Sequence, residues 1–337
     1  MTAAAAPLDA ASISEPGTLA ELLASALPAL DGRVPRAVWE RVLVAPARDI
    51  LARPAKQLRA DLVALGARLG GREPPPAAVV AAIEVLHAGS LVVDDIEDGA
   101  EQRRGDVALH RRYGVPVALN AGNWLYFCAF ALLDQAPLPE PARIAMHRAM
   151  LRAVLDCHAG QALDVGVDVT DQPRDQLRMI VSRGSALKSG ALTQLAAELG
   201  AIAGGADPAR LAAVREFGAS LGLALQMLDD LGGVICDDRL AKGCEDLQLA
   251  RPTWPWLWAA EHADDARWAR LVKLGRRVRD GEDATPLARE LAAVARLPGR
   301  AEIDRQLAAT LEIIRALDGA QVAVLEAQLA RLEAAYV

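Results

Sequence analysis

Residues 86–105 read LHAGSLVVDDIEDGAEQRRG. An apolar run ends in three aspartates, Asp94, Asp95 and Asp98, and two arginines, Arg103 and Arg104, stand just beyond. On a helix Asp94 and Asp98 share one face, about 5–6 Å apart, while Asp95 is turned away. Two carboxylates that close repel each other unless a cation lies between them. Oxygen donors without His or Cys favour a hard ion, Mg2+ first, which takes one or two protein carboxylates and fills its shell with water and phosphate oxygens. Arg103 and Arg104 add the forked donors that grip phosphate. A solvated acidic helix end followed by a basic loop would give the same stretch.

A second stretch narrows the choice. In LALQMLDDLGG, residues 223–233, the pair Asp229 and Asp230 again ends an apolar helical run, with Gly233 at the i+4 position. The following CDDRLAKGCEDLQLARPTWP carries Lys242, Asp246 and Arg251. Two acid-tipped helices, each with bases shortly downstream, point to one cavity holding several metal ions and a polyphosphate. Chance pairing of the two is much rarer than either alone.

The rest of the chain sets the frame. Ala and Leu dominate, Phe and Tyr number three each, and period-two apolar runs are scarce, so the 337 residues predict an all-α protein. Proline and glycine punctuate helices over 18–30, 34–46, 56–71, 76–98, 117–135 and 137–166, and further ones over 174–200, 208–232, 252–276, 284–297, 301–317 and 319–336. No long linker divides them. Residues 1–17 read as a flexible lead-in without the basic start of a signal peptide, and 18–337 as one helical domain. No window of about 18 consecutive apolar residues without charge is present, so no membrane span is expected. A net charge of −7 argues against a nucleic-acid partner. Cys128, Cys157, Cys236 and Cys244 show no metal-finger spacing and suit free thiols in a cytoplasmic protein.

Taken together, these motifs resemble the trans-isoprenyl diphosphate synthases, the polyprenyl synthetase family, over about residues 45–260. DDIEDGAEQRRG is similar to the family's first aspartate-rich motif with its arginine pair, and VALHRRYG to the segment after it. PAKQLR resembles GGKxxR, with Lys56 and Arg59 in place but Pro54 and Ala55 for the glycines. His87 stands seven residues before Asp94, where the family has a His or Gln. GQALD supplies Gln161 and Asp164, and LKSGALT supplies Lys188 with Ser189 in the family's Thr place. Gln226 lies three residues before Asp229, and KGCED gives the following K-x-x-x-D.

The resemblance implies an isoprenoid synthase-like bundle around a central cavity, working as a homodimer. It implies an allylic diphosphate held by three Mg2+ ions among Asp94, Asp98 and Asp229, with Asp95 and Asp230 as further metal candidates. Arg103, Lys188 and Lys242 would neutralise the diphosphate, with Gln161, Ser189, Gln226 and Arg251 beside it. Isopentenyl diphosphate would sit on Lys56, Arg59, His87 and Arg104. Its double bond would attack the allylic cation, and the departing pyrophosphate would take the proton, so no Ser, Cys or His nucleophile is required. Gly89 and Ser90, small where relatives carry bulky aromatics, imply a deep tail channel and a product of C20 or longer. Trp124 in NWLYFCAF could floor it, although core packing accounts equally for that aromatic cluster.

Gly233 in place of the second motif's last acid leaves two alternatives: a relative that cyclises the cation or prenylates another acceptor, and a non-catalytic partner subunit.

Overall fold

The computed structural model describes residues 32–54, 57–72, 74–323, 325–327 and 329–330. The predicted lead-in over 1–17, the predicted helix over 18–30 and Lys56 lie outside them. The described chain is nearly all helix. Helix α1 (Arg36–Trp39), a π turn (Glu40–Val44) and α2 (Ala45–Leu51) run on without a break, followed by α3 (Leu58–Gly70) and α4 (Ala77–Glu97). A hairpin, β1 (Gln102–Arg103) with β2 (Asp106–Val107), precedes α5 (Leu109–Tyr113), α6 (Val115–Asp134) and α7 (Glu140–Gly166). Then come α8 (Leu177–Ser185), a second π turn (Ala186–Gly190), α9 (Ala191–Gly204), α10 (Pro208–Ile235) and α11 (Leu240–Gln248). Helices α12 (Trp254–His262), α13 (Asp265–Arg279) and α14 (Thr285–Leu317) complete the series.

The described residues form two compact units, one reaching to Met150 with Ala196–Leu211, the other Leu151–Leu195 with the residues from Ala212 onward. In the first, α4 lies against α6, and Val79, Ile83, Val85 and Val92 are fully enclosed. Each such side chain contributes about 1.5–3 kcal/mol by leaving water. In the second, the WPWLW stretch opens α12, and Trp254, Trp256 and Trp258 are all buried.

The expected helix over 34–46 runs on to Leu51, and α5 and α11 were not expected; two further boundaries differ for a visible reason. Residues 252–276 are two helices, because the Asp264 carboxylate accepts the Arg267 N–H at 2.7 Å and starts α13 afresh. Conversely, α14 runs through Pro298, which was expected to end a helix. Packing offsets the lost backbone bond: Gly299 presses on the Trp258 ring, and the Trp258 indole donates to Glu302 one turn on at 2.7 Å.

By length and composition Ala77–Glu97, Val115–Asp134 and Pro208–Ile235 are apolar enough to cross a membrane, with mean hydropathy of 1.7, 1.3 and 1.2. For Ala77–Glu97 the apolarity is accounted for within the fold, since 61% of its window is buried.

Candidate active site

The end of α4 is built as a Schellman motif. Gly99 takes φ 65°, its N–H bonds the Ile96 carbonyl, and the Ala100 N–H bonds that of Asp95 at 2.9 Å. Asp98 is left at the C-cap, one turn from Asp94, both half-buried. The chain then turns tightly through Arg104 and Gly105, φ 53° and 79°, two successive positive values that suit a two-residue hairpin. A left-handed arginine is strained, and it places Arg104 at the tip. Buried Arg53 fixes the hairpin by donating to the carbonyls of Arg103 at 3.0 Å and Val107 at 2.9 Å, while Asp49 accepts from it at 2.8 Å. Sequence reasoning missed Arg53 and Asp49; an Arg four residues after an Asp was the signal available.

Arg103 reaches back from this hairpin to Asp95 Oδ1 at 2.6 Å and Asp94 Oδ2 at 3.2 Å. Asp95 was expected among metal ligands, but the structure turns it inward. Its side chain is fully enclosed, Oδ2 has no donor, and burial raises its pKa despite Arg103. It anchors Arg103 and leaves Asp94 and Asp98 as the half-exposed pair.

One helix face further back, the described members of the expected second-substrate set, Arg59, His87 and Arg104, lie close together. His87 is held well below its ordinary pKa by burial first, then by the charges of Arg59, Arg104 and Arg103. Glu84 faces Arg59 and Arg104, and burial raises its pKa. A neutral imidazole amid three guanidiniums is a polar wall suited to an anion. Gly89, expected in the tail channel, does another job: a Cβ there would stand 2.8 Å from the Gly122 carbonyl, so it is the close approach of α4 to α6. Ser90 donates to the His87 carbonyl at 2.8 Å. Trp124 is half-buried, whereas Phe127 of the same aromatic cluster is 73% exposed.

The second unit carries the other groups. Gly160 lets α7 approach the backbone of the second π turn, where a Cβ would meet the Lys188 nitrogen at 2.5 Å. Lys188 Nζ then bonds Asp164 Oδ2 at 2.6 Å, with half-buried Gln161 next to Gly160. π turns recur at functional sites because they re-aim side chains. Buried Arg251 donates to the Asp164 carbonyl at 2.8 Å and so supports that element from within.

At the end of α10 the two acids divide. Asp230, also expected as a metal ligand, accepts from Gln226 at 2.6 Å and from the Trp254 N–H at 2.9 Å; burial pushes its pKa up to about 7. Ser189 donates to Gln226 and extends the chain of bonds. Asp229 instead meets Arg239 and, at 3.0 Å, Lys242. Burial works to raise its pKa, but Lys242 and Arg239 prevail and hold it below the usual carboxylate value. Arg239 was not among the expected residues.

An all-α chain with two acid-tipped helices whose acids are held by arginine and lysine is built to handle anions. The polyprenyl synthetase profile matches residues 40–290. The short chain isoprenyl diphosphate synthase of Methanothermobacter thermautotrophicus is 34% identical over 244 residues, covering 70% of this chain and 73% of that protein. The geranylgeranyl diphosphate synthase of Sulfolobus acidocaldarius is 35% identical, covering 55% and 56%. The crystal structure of geranylgeranyl pyrophosphate synthetase from Pyrococcus horikoshii superposes with a TM-score of 0.75 at 27% identity over 91% of both chains. The chain belongs to the polyprenyl synthetase family and is a prenyltransferase of the isoprenyl diphosphate synthase type.

Proposed function

We propose that this enzyme condenses an allylic diphosphate with isopentenyl diphosphate to a trans-polyprenyl diphosphate of C20 or longer, with Mg2+, as a cytoplasmic homodimer. The observation that carries this reading is the direct ion pairing at both acidic ends, Arg103 on Asp94 and Arg239 with Lys242 on Asp229. In a metal diphosphate complex the carboxylates would hold the ion and the bases the phosphate oxygens. The donor set fits Mg2+, being all oxygen. Among the described residues no three His, Cys, Asp or Glu side chains stand close enough to enclose an ion. That agrees with an ion taking one or two carboxylates and completing its shell from phosphate and water.

When bound, Mg2+ would supply positive charge at the leaving diphosphate. Asp94, Asp98 and Asp229 would hold it, and Arg103, Lys188 and Lys242 would stabilise the negative charge that grows as the allylic C–O bond breaks. Gln161, Ser189, Gln226 and Arg251 would position these groups, as their hydrogen bonds suggest for the last three. Arg59, neutral His87, Arg104 and Lys56 would bind isopentenyl diphosphate. Its alkene electrons form the new C–C bond, and the adjacent proton leaves to the pyrophosphate. Ser90 and Trp124 remain the candidates for the tail channel. The exposed Val115, Leu119 and Phe127 of α6 support pairing with a second copy, and the four free thiols agree with a reducing compartment.

The test is incubation with Mg2+ and geranyl, farnesyl or geranylgeranyl diphosphate, with and without isopentenyl diphosphate, followed by mass spectrometry. Longer diphosphates formed only with isopentenyl diphosphate are expected. Hydrocarbon or alcohol formed without it would establish the cyclising alternative, and no product in any tube would overturn the catalytic reading.

A further inference from the structure

The absent acid of the second motif has a structural counterpart. Gly233 lies one turn beyond Asp229 on α10, and Gly243 one turn beyond Arg239 at the start of α11. At these two glycines the backbones touch: a Cβ on Gly243 would stand 1.9 Å from the Gly233 carbonyl, and one on Gly233 would stand 3.2 Å from the Gly243 Cα. Gly243 has no room for a side chain, and a Cβ on Gly233 would need α11 to yield by a few tenths of an ångström. One turn away from this crossing, Arg239 meets one oxygen of Asp229, and Lys242 lies 3.0 Å from the other. The glycine contact therefore delivers two cations to half-buried Asp229, where an Asp at 233 would have crowded α11 and added negative charge.

We propose that Arg239 is a diphosphate-binding residue of this chain, delivered to Asp229 by the Gly233–Gly243 crossing and supplying permanently the positive charge that a third carboxylate would have recruited as metal. This rests on the functional reading above and deepens it. Asp230 is committed to Gln226 and the Trp254 N–H, so Asp229 is the acid that faces both bases. A guanidinium presents several donors in a fixed plane and can bridge the Asp229 carboxylate and a phosphate oxygen together. Diphosphate binding at this end would then depend less steeply on Mg2+ than three acids would make it.

The experiment is calorimetric binding of inorganic pyrophosphate across a Mg2+ series, on wild type and on Arg239→Gln, Arg239→Lys and Gly233→Asp, with melting temperatures recorded. Arg239→Gln is expected to weaken binding by about tenfold at low Mg2+, the loss of one charge-assisted contact, with the gap narrowing as Mg2+ rises. Arg239→Lys should recover part of the affinity, and it serves as the folded comparison if the Gln variant melts early. Gly233→Asp should lower the melting temperature and weaken pyrophosphate binding as Arg239 is displaced. Unchanged affinity and Mg2+ dependence in Arg239→Gln, or tighter binding by a stable Gly233→Asp, would overturn the proposal. Wild type that binds no pyrophosphate at any Mg2+ concentration would instead overturn the functional reading beneath it.

Discussion

At the end of α4 one arginine, carried on a tight hairpin, serves two aspartates; at the end of α10 two bases, carried on a following helix, serve one. Both ends begin from the same Asp-Asp pair and use it the same way. The first acid meets the bases, and the second takes another partner: Asp95 is buried and Asp230 half-buried. Yet the second members differ. Asp95 spends its carboxylate on the very arginine that also touches Asp94, whereas Asp230 holds the start of α12 and takes no base at all. Adjacent helical residues point about 100° apart, so one acid of any such pair on a half-buried helix must face inward. What it finds there depends on the neighbouring element.

The largest effect expected from this contrast is catalytic. Asp94→Ala and Asp229→Ala should each lower kcat by about 100- to 1,000-fold, the loss typical of one electrostatic group at a developing charge. Both should keep wild-type circular dichroism, and an active variant would remove that helix end from the chemistry. The second acids should fail differently. Asp95→Ala removes the nearer partner of Arg103 from a buried site and should destabilise the fold by about 3 kcal/mol in urea titration. Asp230→Ala, losing two hydrogen bonds, should destabilise it by about 1–3 kcal/mol. Equal losses at the two positions would erase the distinction between them.

The small residues before Asp94 offer a sharper test. Gly89→Leu should force α4 from α6 and lower stability by about 1–3 kcal/mol. Ser90→Phe should leave stability nearly unchanged and shorten the product, read by mass spectrometry. A shortened product from Gly89→Ala alone, in a protein of unchanged melting temperature, would return Gly89 to the channel.

The smallest effect is the pH response of His87. Its folded pKa lies well below the model-peptide value of 6.5, because burial and three arginines oppose its charge. Below pH 6.5 the unfolded chain takes up a proton that the fold refuses, so stability is complete above that pH and is lost as pH falls toward the folded pKa. The loss should be about 1 kcal/mol between pH 7 and 5.5, measured by denaturation, and His87→Gln should abolish it. An unchanged pH slope in that variant would mean that the ring is solvated.

Much of this was legible in the letters. Ala- and Leu-rich composition with proline punctuation determined an all-α fold, and the i, i+4 spacing of Asp94 and Asp98 determined a two-acid helix face. The order of short charged motifs led to the family, because each charge is needed for the chemistry it resembles. Spacing along one helix is local, and sequence reports it directly. What tertiary structure alone decided is which acid of each pair faces inward, that Arg53 and Asp49 hold the hairpin bearing Arg103 and Arg104, and that Gly233 meets Gly243. These depend on which backbone lies against which, and the contacts join residues up to 54 positions apart. A glycine that permits such an approach looks, in sequence, the same as a glycine where a ligand has been lost; the neighbouring helix supplies the difference.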